Sequence, residues 1–183
     1  MPVQKSAVRY STFPRTEPPP TFAQSVVDLF ARHENKVSTI ALAKGLTSDQ
    51  VLQVLATDLR GIGFEVEAGK KAGQKIERPV FFGENGMATM NYQIDAYHQQ
   101  WRCGLEIEAG RAWMGNAVYR DLIQAAVMVA VDYLFLAVPL AYKFQNSGKT
   151  TISRDYENTC HLADAVYGHS RVQLPYRLVV IGY

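Results

Sequence analysis

Two stretches of strict alternation, Thr89 to Tyr97 and Trp101 to Glu108, constrain this chain more than anything else in it. A period of two is the signature of a strand with one face turned inward. In the first stretch Met90, Tyr92, Ile94 and Ala96 alternate with Asn91, Gln93, Asp95 and Tyr97. In the second, Trp101, Cys103, Leu105 and Ile107 alternate with Arg102, Gly104, Glu106 and Glu108. His98, Gln99 and Gln100 between them are short enough for a hairpin. With Gln99 and Gln100 as the turn, Asp95 is expected opposite Gly104, which has no side chain and leaves open space. Parity then sets Asp95, Glu106 and Glu108 on one side of the sheet.

The remaining pattern supplies the elements around this hairpin. Phe22, Val26, Leu29 and Phe30 form an apolar helical stripe, with Thr21 and Gln24 as a capping box. A second helix is expected from Ser48 to Arg60, capped by Thr47 or Ser48 and buried through Val51, Leu52, Leu55 and Leu59. Gly61 and Gly63 end it, and Phe64 to Glu67 restart as a strand. After Glu108 the pattern predicts a helix over Asn116 to Val131, a buried strand over Tyr133 to Val138 and a loop over Gln145 to Ser153. A helix over Asp155 to Tyr167 and a strand over Tyr176 to Ile181 complete it. This order predicts an α/β fold with a mixed central sheet flanked by helices. The 183 residues suit one domain. Residues 1–20, ending in Glu17-Pro18-Pro19-Pro20, are expected as a flexible arm, and residues 21–183 as the domain.

Composition excludes several classes. Apolar residues at 48% and charged ones at 20% describe a globular chain, not a disordered one. A formal charge of +2 excludes a polybasic binder, so anion affinity has to come from a local patch. Cys103 and Cys160 cannot build a disulfide scaffold, and Cys160, His161 and His169 lack partners at zinc-ligand spacing. The apolar run from Ala125 to Tyr142 is split by Asp132 and Pro139, which favours a helix and a strand over a membrane span. The first residues show no secretory apolar core, and a cytoplasmic setting is expected.

Three like charges on neighbouring strands repel. Two carboxylates ~5 Å apart at an effective dielectric of ~20 cost on the order of 3 kcal/mol. The wet face of an amphipathic strand is one way to carry them. An apolar helix after the hairpin, however, implies a sheet covered on both faces, where acids need a counter-charge. All-oxygen donors suit Mg²⁺ or Mn²⁺, and such an ion serves phosphodiester hydrolysis by polarising a phosphoryl oxygen.

Asp95, ten intervening residues, then Glu106-Ile107-Glu108, with apolar positions around each acid, resembles the PD-(D/E)xK nuclease superfamily. The pattern is most similar to its type II restriction endonucleases of the BamHI and BglII kind. The resemblance covers roughly residues 48–183. It implies that Asp95 and Glu106 ligate the metal, with the Leu105 or Ile107 carbonyl as a further ligand. Glu108 stands where most members carry lysine, and Ile94 where the motif name expects proline. The BamHI-like branch also has glutamate there, so Glu108 is compatible with catalysis, as a base or a second metal ligand. The resemblance further implies double-stranded DNA as substrate and a homodimer, with the helix after the acids as candidate interface.

Basic and polar residues near these acids are candidate DNA contacts. Lys70, Lys71, Lys75 and Arg78 face only Glu77 in a glycine-rich segment, which is either a solvated loop or a phosphate-contacting arm. Arg111, Asn116 and Arg120 follow the acids, where Arg suits bidentate phosphate contact and Asn116 equally suits a helix N-cap. Lys149 and Arg154 lie in the expected 145–155 loop. Glu65 or Glu67 is either a supplementary acid of the site or an exposed strand acid. Two rival readings remain. Residues 40–67 resemble a helix-turn-helix with a wing that would read bases through Gln50 and Gln53, yet its recognition helix has no Lys or Arg before Arg60. The other is a nuclease-like fold serving a binding or structural role.

Overall fold

A computed structural model of the chain describes residues 6–71, 73–110 and 112–183. Six strands form a mixed sheet in the order β1 (Arg9–Phe13), β10 (Arg177–Gly182), β7 (Tyr133–Val138), β6 (Cys103–Ile107), β5 (Ala96–His98) and β2 (Glu65–Val66). β10, β7 and β6 run parallel, whereas β1, β5 and β2 join by antiparallel pairing. β7 and β10 are almost wholly apolar because both faces of the sheet are covered. Phe135, Ala137, Val179 and Ile181 face α1 (Ala23–Arg32), the short α2 (Glu34–Val37) and α3 (Ser48–Gly61). Leu134, Leu136, Val138, Leu178 and Val180 face α4 (Ala117–Val127) and α5 (Asp155–Gly168). The result is a helix–sheet–helix sandwich, the α/β architecture expected from the sequence.

α3 begins on a reciprocal cap. The Thr47 hydroxyl accepts from the Gln50 N–H at 3.3 Å, and Gln50 Oε1 accepts from the Thr47 N–H at 2.9 Å. The box expected at Thr21 and Gln24 does not form. α1 starts after Phe22 without a side-chain cap, and Gln24 donates instead to Asp28 at 2.7 Å. Phe22 is drawn into the core by stacking on Trp101, with ring centroids 4.5 Å apart. No helix precedes α3 over residues 40–47, and Gln50 is tied into the cap, so the helix-turn-helix reading does not hold. α3 instead presses its apolar face on the sheet.

The flexible arm is also corrected. Residues 9–13 are β1, paired with β10 from Arg9↔Gly182 to Phe13↔Leu178. Without β1 the edge of an apolar strand would lie open, a liability that native sheets cover. The ordered domain therefore reaches back before residue 21, while residues 1–5 lie outside the described ones. Two ribbons stand outside the main sheet. β3 (Ile76–Phe82) and β4 (Ala88–Ile94) are joined through the expected turn at residues 83–86, and β8 (Tyr142–Asn146) pairs with β9 (Lys149–Ser153) where a loop was expected. Ser147 and Gly148, with φ of 50° and 77°, make the two-residue turn that such a ribbon favours. α4 stops at Val127 rather than Val131, and Val129 then donates its N–H to the Pro79 carbonyl of β3 at 3.0 Å. No helix among the described residues is long and apolar enough to cross a membrane.

Phe13 separates a paired strand from a loose arm, because its ring is 1% exposed in the α4–α5 layer. Phe13→Ala is expected to cost about 3–5 kcal/mol in urea unfolding, as for a core aromatic. A change within about 0.5 kcal/mol, the range of surface substitutions, would contradict the strand assignment.

Candidate active site

The stretch expected as one strand over residues 89–97 is two, β4 and β5, meeting at a bend on Asp95. There the chain leaves the β3–β4 ribbon and enters the main sheet. The hairpin that follows has a four-residue turn, residues 99–102, and its pairs are Ala96↔Leu105, Tyr97↔Gly104 and His98↔Cys103. His98 stacks on Trp101 at 3.7 Å and accepts the Trp101 N–H on Nδ1 at 3.2 Å, which holds the longer turn. Arg102, with φ of 48°, completes it by a forked bond to Asp132 at 2.6 and 3.0 Å. Gly104 thus lies opposite Tyr97, not Asp95. It borders no open space either, since a Cβ there would stand 2.2 Å from Ile94 Cδ1. The change moves Asp95's expected partner by two residues, which leaves the faces unchanged.

Asp95 and Glu106 accordingly meet on the α4 side of the sheet, in a cleft of about 540 Å³ that Arg120, Asp121, Gln124, Glu67 and Lys75 also line. Asp95 Oδ2 accepts the Ile107 N–H at 2.8 Å across the hairpin. Glu106 occupies the strand face that Leu134 and Leu136 fill on β7. Glu108 follows directly after β6. Its N–H donates to the Ala137 carbonyl at 2.9 Å, and its own carbonyl accepts from the Tyr183 hydroxyl at 2.9 Å. Arg120 Nη2 joins it to α4, reaching Glu108 Oε1 at 2.7 Å and Asp121 Oδ1 at 2.8 Å.

Asp121 is the site residue that the strand pattern misses. It is 2% exposed, and its Oδ2 has no hydrogen-bond partner among the described residues. The signal was in α4 itself: Val118, Leu122 and Ala125 form its buried stripe, and Asp121 interrupts that stripe.

Burial dominates the electrostatics. It pushes Asp95 up to about 6, against the Ile107 bond and with help from the Glu67 and Asp121 charges. Burial, then Asp95 and Asp121, hold Glu106 well above the usual carboxylate range. Burial and Asp121 push Glu108 up to about 8 despite Arg120. Asp121 is itself raised by burial, with Arg120 pulling the other way. Carboxylates this reluctant to ionise fit a hard divalent cation as counter-charge. Among the described residues no three His, Cys, Asp or Glu side chains converge in a ready-made metal site. Mg²⁺ does not need one, because it is held by one or two carboxylates and keeps its waters. Asp95 and Glu106 are the two carboxylates that could serve as that pair, since both line the cleft, and the Asp121 oxygen there is buried without a hydrogen-bond partner among the described residues.

The candidate cations are mostly engaged. Lys70 pairs with Asp49 at 2.7 Å, Lys75 with the buried Glu67 at 2.7 Å, and Arg78 with Glu65 at 3.0 Å while lying 3.8 Å over the Tyr97 ring. Of the two expected supplementary acids, Glu67 lines the cleft and Glu65 is exposed. Lys71, Lys149 and Arg154 are exposed, the second at the β8–β9 tip and the third before α5. Asn116 occupies the N-cap position of α4 but is left-handed, with φ of 57°, and its side chain makes no cap bond. Arg111 lies outside the described residues.

Residues 4–183 match the family model described as "Putative halobacteria restriction endonuclease". The chain belongs to this restriction endonuclease family. Among solved structures it is similar to the restriction endonuclease BglII complexed with a DNA 16-mer, with a TM-score of 0.52 at 10% identity, over 96% of this chain and 75% of that one. Free BglII aligns with a TM-score of 0.48 at 10% identity, over 96% and 78% of the two chains. No curated protein matches the sequence. The family and the restriction-endonuclease-like fold expected from Asp95, Glu106 and Glu108 are thereby shown, and the family extends through β1 as well.

The raised carboxyls set a pH dependence. Groups with folded values near 6 and 8 stay protonated when the unfolded chain has ionised from near 4, so the folded state binds more protons over that window. Their stability is complete below the unfolded values and is lost as pH rises through about 6 and about 8. In EDTA, Tm is expected to fall between pH 5 and 8.5 by at least about 3 °C, and Glu106→Gln to flatten the slope. A melting point level or rising over that range contradicts the buried-carboxyl account.

Proposed function

We propose that this chain is a Mg²⁺- or Mn²⁺-dependent endodeoxyribonuclease of restriction type that hydrolyses phosphodiester bonds of double-stranded DNA as a homodimer. The observation that carries the reading is the convergence of Asp95 and Glu106 in a cleft on a covered sheet, in a chain of a restriction endonuclease family. BglII, similar in fold, is a restriction endonuclease complexed with DNA, which supports the duplex as ligand.

In this reading Asp95 and Glu106 hold the divalent ion. When bound, the ion neutralises developing charge on the phosphoryl group and acidifies water. The chain's own residues do the rest. The Ile107 N–H fixes the Asp95 carboxylate, which lines the cleft, through Oδ2 and leaves Oδ1 out of that bond. Glu108, with a value near 8, exchanges its proton close to neutral pH and is the group to take one from the attacking water. Arg120, half-exposed beside it, contacts the phosphate. The β8–β9 ribbon, with Gln145, Asn146 and Lys149 near its turn, is of the shape that enters a major groove. α4 turns Tyr119, Ile123 and Val127 outward one turn apart, an apolar stripe that suits a two-fold partner.

Plasmid DNA incubated with Mg²⁺ is expected to give discrete fragments, and EDTA to prevent them. Asp95→Ala and Glu106→Ala are expected to lower cleavage by at least about 10³-fold with the fold intact, comparable to losing a major electrostatic group of an active site. Glu108→Lys is expected to retain measurable cutting. Normal cleavage by either alanine variant overturns the site.

A further inference from the structure

α4 carries two adjacent charged residues that the acidic motif does not include. Neighbouring side chains on a helix do not face one another. Arg120 nevertheless turns back along its own helix, and Asp121 Oδ1 accepts from its Nε at 2.9 Å and from its Nη2 at 2.8 Å. The same Nη2 reaches Glu108 Oε1 at 2.7 Å. None of these bonds uses Nη1. A guanidinium is a rigid planar fork with five N–H donors, so committing Nε and Nη2 to acids fixes where the rest of the fork points. The anchor is firm and the cation is not. The Asp121 side chain is 1% exposed, while that of Arg120 is 57% exposed, and both line the cleft with Asp95 and Glu106. A carboxylate with one unpartnered oxygen on an apolar helix stripe has no packing role that leucine would not fill better. Its Oδ1 serves Arg120, and the Glu108 carboxyl that Arg120 also holds lies against the same side chain.

We propose that Asp121 is a positioning residue for Arg120, holding the guanidinium across the cleft so that it fixes Glu108 through Nη2 and presents its open edge to a phosphate oxygen of the DNA. The phosphate contact rests on the nuclease reading, but the clamp itself does not. It adds to the two motif strands a part contributed by α4, and assigns Asp121 a role distinct from metal ligation.

Four measurements on the full chain test this. The Arg120 Nε–H resonance, identified by its loss in Arg120→Lys, is expected to be protected from exchange in the native protein and broadened in Asp121→Asn. Binding of a labelled 20-base-pair duplex without divalent ion is expected to show a log K against log salt slope shallower by about 0.9 in both Asp121→Asn and Arg120→Gln, as when a protein neutralises one phosphate fewer. Asp121→Asn is expected to lower kcat by at least about tenfold, with the double variant no slower than Arg120→Gln alone, as for residues acting as one unit. Mn²⁺ affinity of Asp121→Asn is expected to fall clearly less than that of Glu106→Gln, which gives up a ligating carboxylate and loses about tenfold or more. A protected Nε–H in Asp121→Asn, an unchanged salt slope, additive losses in the double variant, or Mn²⁺ binding weakened as in Glu106→Gln each overturns the proposal. A native chain that binds the duplex and cuts nothing overturns the nuclease reading instead, and the resonance and the slope still decide the clamp.

Discussion

Carboxylates on a sheet covered on both faces need compensation, and the arrangement around the cleft follows from how each one finds it. Asp95 takes a backbone N–H, Glu108 and Asp121 share one guanidinium, and Glu67 takes Lys75. Glu106 has the cleft itself. These remedies are partial, which is why burial still lifts Asp95, Glu106, Glu108 and Asp121 above the ordinary carboxylate range. Under the proposed function, the counter-charge these remedies leave missing is the one a divalent ion would supply.

The elements that periodicity describes well are those whose faces are decided by the core. β7 runs from Tyr133 to Val138, as its apolar run indicates, and α3 and α5 begin at Ser48 and Asp155, as expected. What escaped was decided by pairing. β1 is short and half polar, and only the open edge of β10 makes it a strand. The β8–β9 ribbon alternates weakly because neither of its faces is fully buried, leaving no pattern from which to distinguish it from a loop.

The site was legible to the extent that parity is robust. The turn between β5 and β6 is longer than Gln99-Gln100, yet any shift by two residues keeps Asp95, Glu106 and Glu108 on the same face. A shift by one would have separated them. Local charge proved a poorer guide. Lys70, Lys75 and Arg78 form a basic run in the sequence, but each has an acid brought to it by the fold, from α3, from beside β2 and from β2 itself. Asp121 was hidden for the opposite reason, since a single acid in an apolar helix carries no strand signature.

The bend at Asp95 gives the first acid an unusual mechanical address. β4 belongs to a ribbon with exposed Phe81, Phe82 and Met87 at its far end, and β5 belongs to the rigid sheet. One of the ribbon's two roots is therefore the residue before a carboxylate oxygen anchored on Ile107. Asp95 thus stands where the ribbon hands over to the sheet, with its carboxylate tied to β6 through Ile107 while β3 is tied to the segment after α4 through Pro79 and Val129.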